Sequence, residues 1–148
     1  MSTEDEVRQA SEQFYAAVNR FVNGDAGPMM QVWSKTSEVT TMHPIGGREV
    51  GWEQVRAGWE QGAQQFESGY VTLKDPLIRA SDNLAYETGT EVGQVTVAGQ
   101  PTSLEYRVTN VYRREAGGWK IVHHHTDLNP ADQELYRRSQ SSAGPTRS

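Results

Sequence analysis

The stretch from Arg107 to Asp127 constrains the fold of this chain more than any other segment. It reads R-V-T-N-V-Y-R-R-E-A-G-G-W-K-I-V-H-H-H-T-D, two β-branched and aromatic runs about Glu115-Ala116-Gly117-Gly118. The glycine pair supplies the positive φ that a hairpin turn needs. With Glu115 opposite Gly118 and regular pairing, Arg114 faces Trp119, Tyr112 faces Ile121, Asn110 faces His123 and Val108 faces His125. Directly opposed residues share a sheet face. One face then carries Val108, Asn110, Tyr112, Trp119, Ile121, His123 and His125, a mixture of large apolar and polar groups suited to a pocket. The other carries Arg107, Thr109, Val111, Arg113, Lys120, Val122, His124 and Thr126.

Upstream, Thr3 and Glu6 make a capping-box pattern before a helical stripe of Val7, Ala10, Phe14, Ala17, Val18 and Phe21. Asn23-Gly24-Asp25 ends that helix, and Asp25 can cap a short second one containing Met29, Met30, Val32 and Trp33. The β-branched run Glu38–Met42 reads as a strand broken by His43-Pro44, and Ile45–Gly51 as a glycine-rich loop. Trp52, Val55, Trp59, Ala63 and Phe66 recur at helical spacing. Strands follow at Gly69–Ser81, where Pro76 implies a bulge or an edge, and at Asn83–Val97. In the latter, Leu84, Tyr86, Thr88, Thr90 and Val92 alternate with Ala85, Glu87, Gly89, Glu91 and Gly93. Ala98-Gly99-Gln100-Pro101 is a turn into the hairpin. Helices first and strands afterwards indicate an α+β fold: three N-terminal helices packed on a curved, mainly antiparallel mixed sheet, a cone with an internal cavity. The domain is expected over residues 1–128. Residues 129–148 form a polar tail with at most a helical turn at Glu134–Arg138 and a disordered end.

With 148 residues, the chain suits one domain that buries roughly two thirds of its unfolded surface. Fourteen basic against nineteen acidic residues give a net charge of −5, which argues against nucleic-acid or anionic-membrane binding. The absence of cysteine excludes disulfides, cysteine nucleophiles and thiolate metal sites. No apolar run approaches the ~20 residues of a membrane span. The acidic start M-S-T-E-D-E is unlike a signal peptide, so a cytoplasmic protein is expected.

Several segments together resemble the SnoaL-like members of the nuclear transport factor 2 superfamily, whose relatives include steroid isomerases, polyketide cyclases and kinase association domains. They are Phe14-Tyr15, Trp33, V-T-T-M-H-P-I-G-G at 39–47, Gly51 with Val55 and Trp59, and the hairpin itself. The Trp-x-Ile-Val-His-x-His strand is similar to that of the calcium/calmodulin-dependent kinase II association domain. The resemblance spans about Glu4 to Asp127. It implies the cone fold, a cavity for an apolar cyclic ligand, homodimerisation, and either cofactor-free proton transfer or a non-catalytic association or ligand-sensing role.

His123, His125 and His43 are the candidate catalytic residues. His123 and His125, two apart on a strand, emerge on one face ~6.5 Å apart. Three readings are open for the pair: chelation of a metal, with His43 or Asp127 as third ligand; general-base catalysis; or structural hydrogen bonding to Asn110 or Tyr112. His124 points the other way, to surface or interface. His43, next to Pro44, sits at the expected cavity mouth, where loop polar groups tend to carry function. Tyr15, Trp33, Trp59, Tyr86, Thr88, Asn110 and Tyr112 are the candidate ligand contacts. Isomerases and cyclases of the superfamily rely on a carboxylate base inside the cavity. Here Glu87, Glu91 and Glu105 are expected on outer faces, so no carboxylate lines the expected pocket. A dimer would pair through Thr109, Val111, Val122 and His124.

Overall fold

A computed structural model describes residues 1–128; the tail expected beyond Leu128 lies outside the described residues. The chain runs through α1 (Thr3–Phe21), α2 (Met29–Val32), β1 (Thr40–Met42), β2 (Glu49–Val50), α3 (Trp52–Ala63), β3 (Phe66–Ala80), β4 (Leu84–Val97), β5 (Gln100–Glu115) and β6 (Gly118–Leu128). Helices precede the long strands, as the α+β reading requires. One six-stranded sheet has the order β2-β1-β6-β5-β4-β3. Among the described strands, only β1 and β6 are parallel to each other. Among the described residues, no helix is long and apolar enough to cross a membrane.

The capping box of α1 sits one residue earlier than Thr3. The Ser2 hydroxyl accepts the Asp5 N–H at 3.1 Å, and the Asp5 carboxylate accepts the Ser2 N–H at 3.3 Å. Asp5 is three residues past the cap, where side chain and backbone satisfy each other. Val7, Ser11, Phe14, Tyr15, Ala17 and Val18 then form the buried stripe of α1. Asp25 caps no helix; its carboxylate accepts the Gly27 N–H in a turn, and α2 is a single turn after Pro28. The expected 45–51 loop contains the short strand β2, paired with β1.

The long strands curl around α1, and two glycines make the curl possible. A side chain at Gly93 would collide with the Tyr70 carbonyl of β3, and Gly69, which pairs with Val95, has φ 143°. At both glycines β3 and β4 are pressed too close for a Cβ, which creases the sheet into a cone. The expected irregularity near Pro76 is present as a pairing shift between Lys74 and Leu77.

The hairpin corrects the sequence reading. Glu115 pairs with Gly118, Arg114 with Trp119 and Tyr112 with Ile121, as expected, but Val111 then pairs with His123. Val122 is an unpaired bulge residue, and beyond it every side chain of β6 changes face. Asn110 therefore faces His124 rather than His123, and Thr126 rather than His125 faces Val108. His124 is buried, whereas His123 and His125 lie on the outer face beside Val111 and Thr109. Val122 tucks against the core instead of joining an outer patch.

The faces of β4 are also the reverse of the expectation. Ala85, Glu87, Glu91 and Val95 are buried on the concave side, while Leu84 and Tyr86 are exposed. Apolar character misleads here because two glutamates are satisfied inside by hydrogen bonds, and the outer face keeps large apolar groups. Thr88 lies on that outer face with Tyr86, and Glu105 is exposed as expected.

Candidate functional site

The concave face gathers a polar row across three strands. Glu87 of β4 stands opposite Asn110 of β5, which stands opposite His124 of β6. Glu91 lies four residues along β4 on the same face, with Gly89 between them. The four side chains are at most 6% exposed. Burying so many polar groups is tolerable only when each is paired, and here the pairing is nearly continuous.

Glu87 accepts from Ser11 at 2.7 Å, from Tyr112 at 2.8 Å and from the Asn110 amide at 3.1 Å. The second Asn110 amide hydrogen goes to the Tyr15 hydroxyl at 3.0 Å, and Tyr15 in turn donates to Glu91 Oε2 at 2.8 Å. Both Asn110 N–H groups being committed, its Oδ1 faces His124 Nδ1 at 2.7 Å. An amide oxygen can only accept, so Nδ1 carries the proton. His124 Nε2 is then a bare lone pair, 4.0 Å from Glu91 Oε2.

Burial sets the charge state of this pair. It holds the His124 imidazole well below its ordinary range, helped by the neighbouring His43, His123 and His125. It also pushes the Glu91 carboxyl up to about 7, against the Tyr15 hydrogen bond and with help from Glu87. The two groups therefore meet as a neutral base and a carboxyl poised to hold or release its proton near neutrality. They are not a conventional ion pair. Burial, with the nearby carboxylates, raises the Tyr15 and Tyr112 phenols well above their usual values, keeping both as donors.

His124 and Glu91 open onto a cavity of about 460 Å³, enclosed by α1, α3, β3, β5 and the segment after β1. This is within the roughly 300–1,000 Å³ of small-molecule sites. Trp59, Phe21, Phe66 and Leu104 make most of its wall apolar, and His43 with Pro44 and Ile45 forms the mouth. The His43 ring lies 5.5 Å from Trp59 and 6.1 Å from His124. Its Nε2 is 3.4 Å from Glu49, whose carboxylate also accepts the Thr41 hydroxyl. The buried indole N–H of Trp59 has no partner.

Of the residues singled out from sequence, His43 and Trp59 line the cavity, while Tyr15 and Asn110 stand directly behind its polar floor. Tyr112 and Trp33 are core residues, the former bonded to Glu87 and the latter packed on Trp59 with its N–H unpartnered. Tyr86, Thr88, His123 and His125 do not reach the cavity. Tyr86 is 46% exposed. His123 Nδ1 shares a 2.7 Å hydrogen bond with Thr40. Thr88 and His125 border a separate outer groove with Arg107 and Asp127. His43 is thus on the other side of the sheet from His123 and His125. No group of three or more His, Asp or Glu side chains able to hold a metal occurs among the described residues. Sequence reasoning missed His124, Glu87 and Glu91. The one available signal was the alternation of Glu87 and Glu91 with Ala85, Gly89 and Gly93, small residues that fit a tightly curved concave face.

Similarity to known proteins agrees with this architecture. A nuclear transport factor 2-like superfamily protein from Salmonella enterica serovar Typhimurium superposes with a TM-score of 0.75 at 21% identity, over 84% of this chain and 89% of that one. A candidate dehydratase of the same family from Streptomyces avermitilis gives 0.76 at 24% identity, over 85% and 95%. A candidate calcium/calmodulin-dependent protein kinase type II association domain from Thiobacillus denitrificans gives 0.69 at 27% identity, over 82% and 94%. No curated protein matches the chain. The model of the SnoaL-like domain matches residues 7–127, and the chain belongs to that family.

Proposed function

We propose that the chain binds a small, largely apolar ring compound in its conical cavity and moves a proton on it. His124 Nε2 is the base and Glu91 the acid. One observation carries this reading: the polar floor of an otherwise apolar cavity presents a bare imidazole nitrogen 4.0 Å from a carboxyl that titrates at about 7. On a ketone, Nε2 takes a proton from the carbon next to the carbonyl, the C–H electrons move into the new C=C bond, and Glu91 delivers its proton to the oxygen. The product of that step is the enol, and return of a proton to another carbon completes an isomerisation. Asn110 holds the tautomer and Tyr15 keeps the carboxyl in place. Positioned acid–base groups of this kind contribute roughly 10²- to 10⁴-fold. The similar Streptomyces protein described as a candidate dehydratase is consistent with chemistry of this class.

The test is deuterium uptake by bicyclic ketones such as 2-tetralone in D2O, followed by proton NMR. Protein-dependent exchange should fall at least about a hundredfold in His124→Gln and in Glu91→Gln. Exchange that is indifferent to His124 would refute the assignment.

The association-module reading has its own support in the likeness to a kinase association domain and in an outer face that exposes Leu77, Leu84 and Tyr86. On that basis the protein is a homodimer through the outer sheet face, with Val111 and His123 beside Tyr86. Light scattering at tens of micromolar that finds only monomer would exclude it.

A further inference from the structure

The charge lining the cavity is one-sided. Apart from His43 and His124, the charge-bearing residues on its wall are Glu49 at the mouth and Glu91 at the floor, and no lysine or arginine is among the described lining residues. The last turns of two helices also border it. Val18, Phe21 and Val22 from the end of α1, and Gln61 and Gly62 from the end of α3, are all wall residues. A helix C-terminus carries about half a negative charge, so the backbone adds to the field of the carboxylates. An anion entering this space finds no countercharge.

The floor has a more specific requirement. Glu91 Oε2 and His124 Nε2 are too far apart, at 4.0 Å, to bond each other directly. They are close enough for one oxygen atom to touch both. With Nδ1 donating to Asn110, Nε2 can only accept, whereas a protonated Glu91 can donate. The complementary group both donates and accepts: the oxygen of an alcohol, a phenol or an enol.

We propose that the cavity selects an uncharged ring compound whose hydroxyl or enol oxygen bridges Glu91 and His124, and rejects compounds carrying a carboxylate or phosphate. This rests on the reading that ligand occupies the cavity, and it specifies which chemical class does so. Binding is then tied to the Glu91 proton. The groups facing that carboxyl are Tyr15 from α1, His124 from β6, Tyr106 opposite it on β5, the apolar Leu73 on β3 and Glu87 on its own strand. Of these, the Tyr15 hydrogen bond favours its ionised form and Glu87 disfavours it. His43 and Glu49 lie further out, at the mouth.

Calorimetry on the full chain with three probes of one size, 2-naphthol, 2-naphthoate and 2-naphthylmethylamine, tests the proposal. 2-Naphthol should bind, and naphthoate should bind about a hundredfold more weakly, as a like charge within a few ångströms demands. Naphthol affinity should drop about tenfold between roughly pH 6 and pH 8 as the competent, protonated fraction shrinks. Glu91→Gln, whose amide donates at every pH, should bind naphthol without that dependence. Leu104→Trp, which fills the cavity from β5, should abolish binding and so localise it. Naphthoate as tight as naphthol, with both lost in Leu104→Trp, would overturn the charge selection and leave the cavity reading standing. The amine binding more tightly than naphthol across the range would overturn it in favour of cations. If no probe binds, both readings fall.

Discussion

Replacing Glu87 separates a buried network held together by hydrogen bonds from one held by charge. Its two oxygens accept from Ser11, Tyr112 and Asn110. In Glu87→Gln, the remaining carbonyl oxygen keeps Tyr112 and Asn110, and the new amide donates to Ser11, whose hydroxyl rotates to accept it. The network loses a charge but no partner, and stability should change by about 1 kcal/mol or less. In Glu87→Met, of similar size, no acceptor remains. Ser11 can turn its hydroxyl to the carbonyl one helical turn back. The Tyr112 hydroxyl and one Asn110 N–H cannot escape, since both residues are at most 1% exposed. Two orphaned buried donors cost roughly 2–6 kcal/mol, a large share of the roughly 5–15 kcal/mol that holds a domain together. Urea unfolding gives both numbers from the shift in midpoint at constant slope. Imidazole nitrogen NMR reads the second consequence: the Nδ1–H tautomer of His124 should survive in Glu87→Gln and blur in Glu87→Met, where Asn110 is free to turn. Equal stability of the two variants, with the tautomer intact in both, would refute the reasoning.

Other outcomes follow from the same geometry. Glu91 holds its proton to about 7 in the fold, against an ordinary 4.5. The folded chain therefore binds more protons than the unfolded one across that window, and this contribution is full below 4.5 and lost as pH rises through 7. It amounts to about 3 kcal/mol, and Glu91→Gln should remove the corresponding slope from a plot of stability against pH. His124 runs the opposite way. Its folded value lies well below 6.5, so its contribution is present above 6.5 and lost on acidification; His124→Gln should flatten the acid limb of the same plot. Gly58 lies under the Glu49 carboxylate, which a Cβ there would displace. Gly58→Ala should therefore gain its usual ~1 kcal/mol of helix propensity only alongside Glu49→Ala, a coupling that a double-mutant cycle would measure.

Much of the fold is legible in the sequence because it depends on periodicity and turn chemistry. The stripe of Val7, Phe14 and Val18, the spacing of Val55, Trp59 and Ala63, and the Gly117-Gly118 turn each specify an element without reference to the rest of the chain. The site is less legible, and for two physical reasons. Pairing propagates from the turn only until Val122 drops out of the ladder, and no residue type announces that bulge. Burial of Glu87 and Glu91 is stabilised by Ser11 and Tyr15, both 76 residues distant, so β4 by itself reads as having its polar face outward. His43, by contrast, is legible as a cavity residue, because the His-Pro break after β1 is local.

Three successive histidines on β6 have a meaning that the bulge brings out. With Val122 looped out, one imidazole, His124, enters the cavity; without it, the strand would present His123 and His125 instead. Either arrangement furnishes the interior with imidazole, so whether Val122 is looped out or paired alters how many bases the cavity holds rather than whether it holds any. A lineage carrying this triplet can pass between a one-base and a two-base interior by forming or losing the bulge, without first abandoning acid–base chemistry.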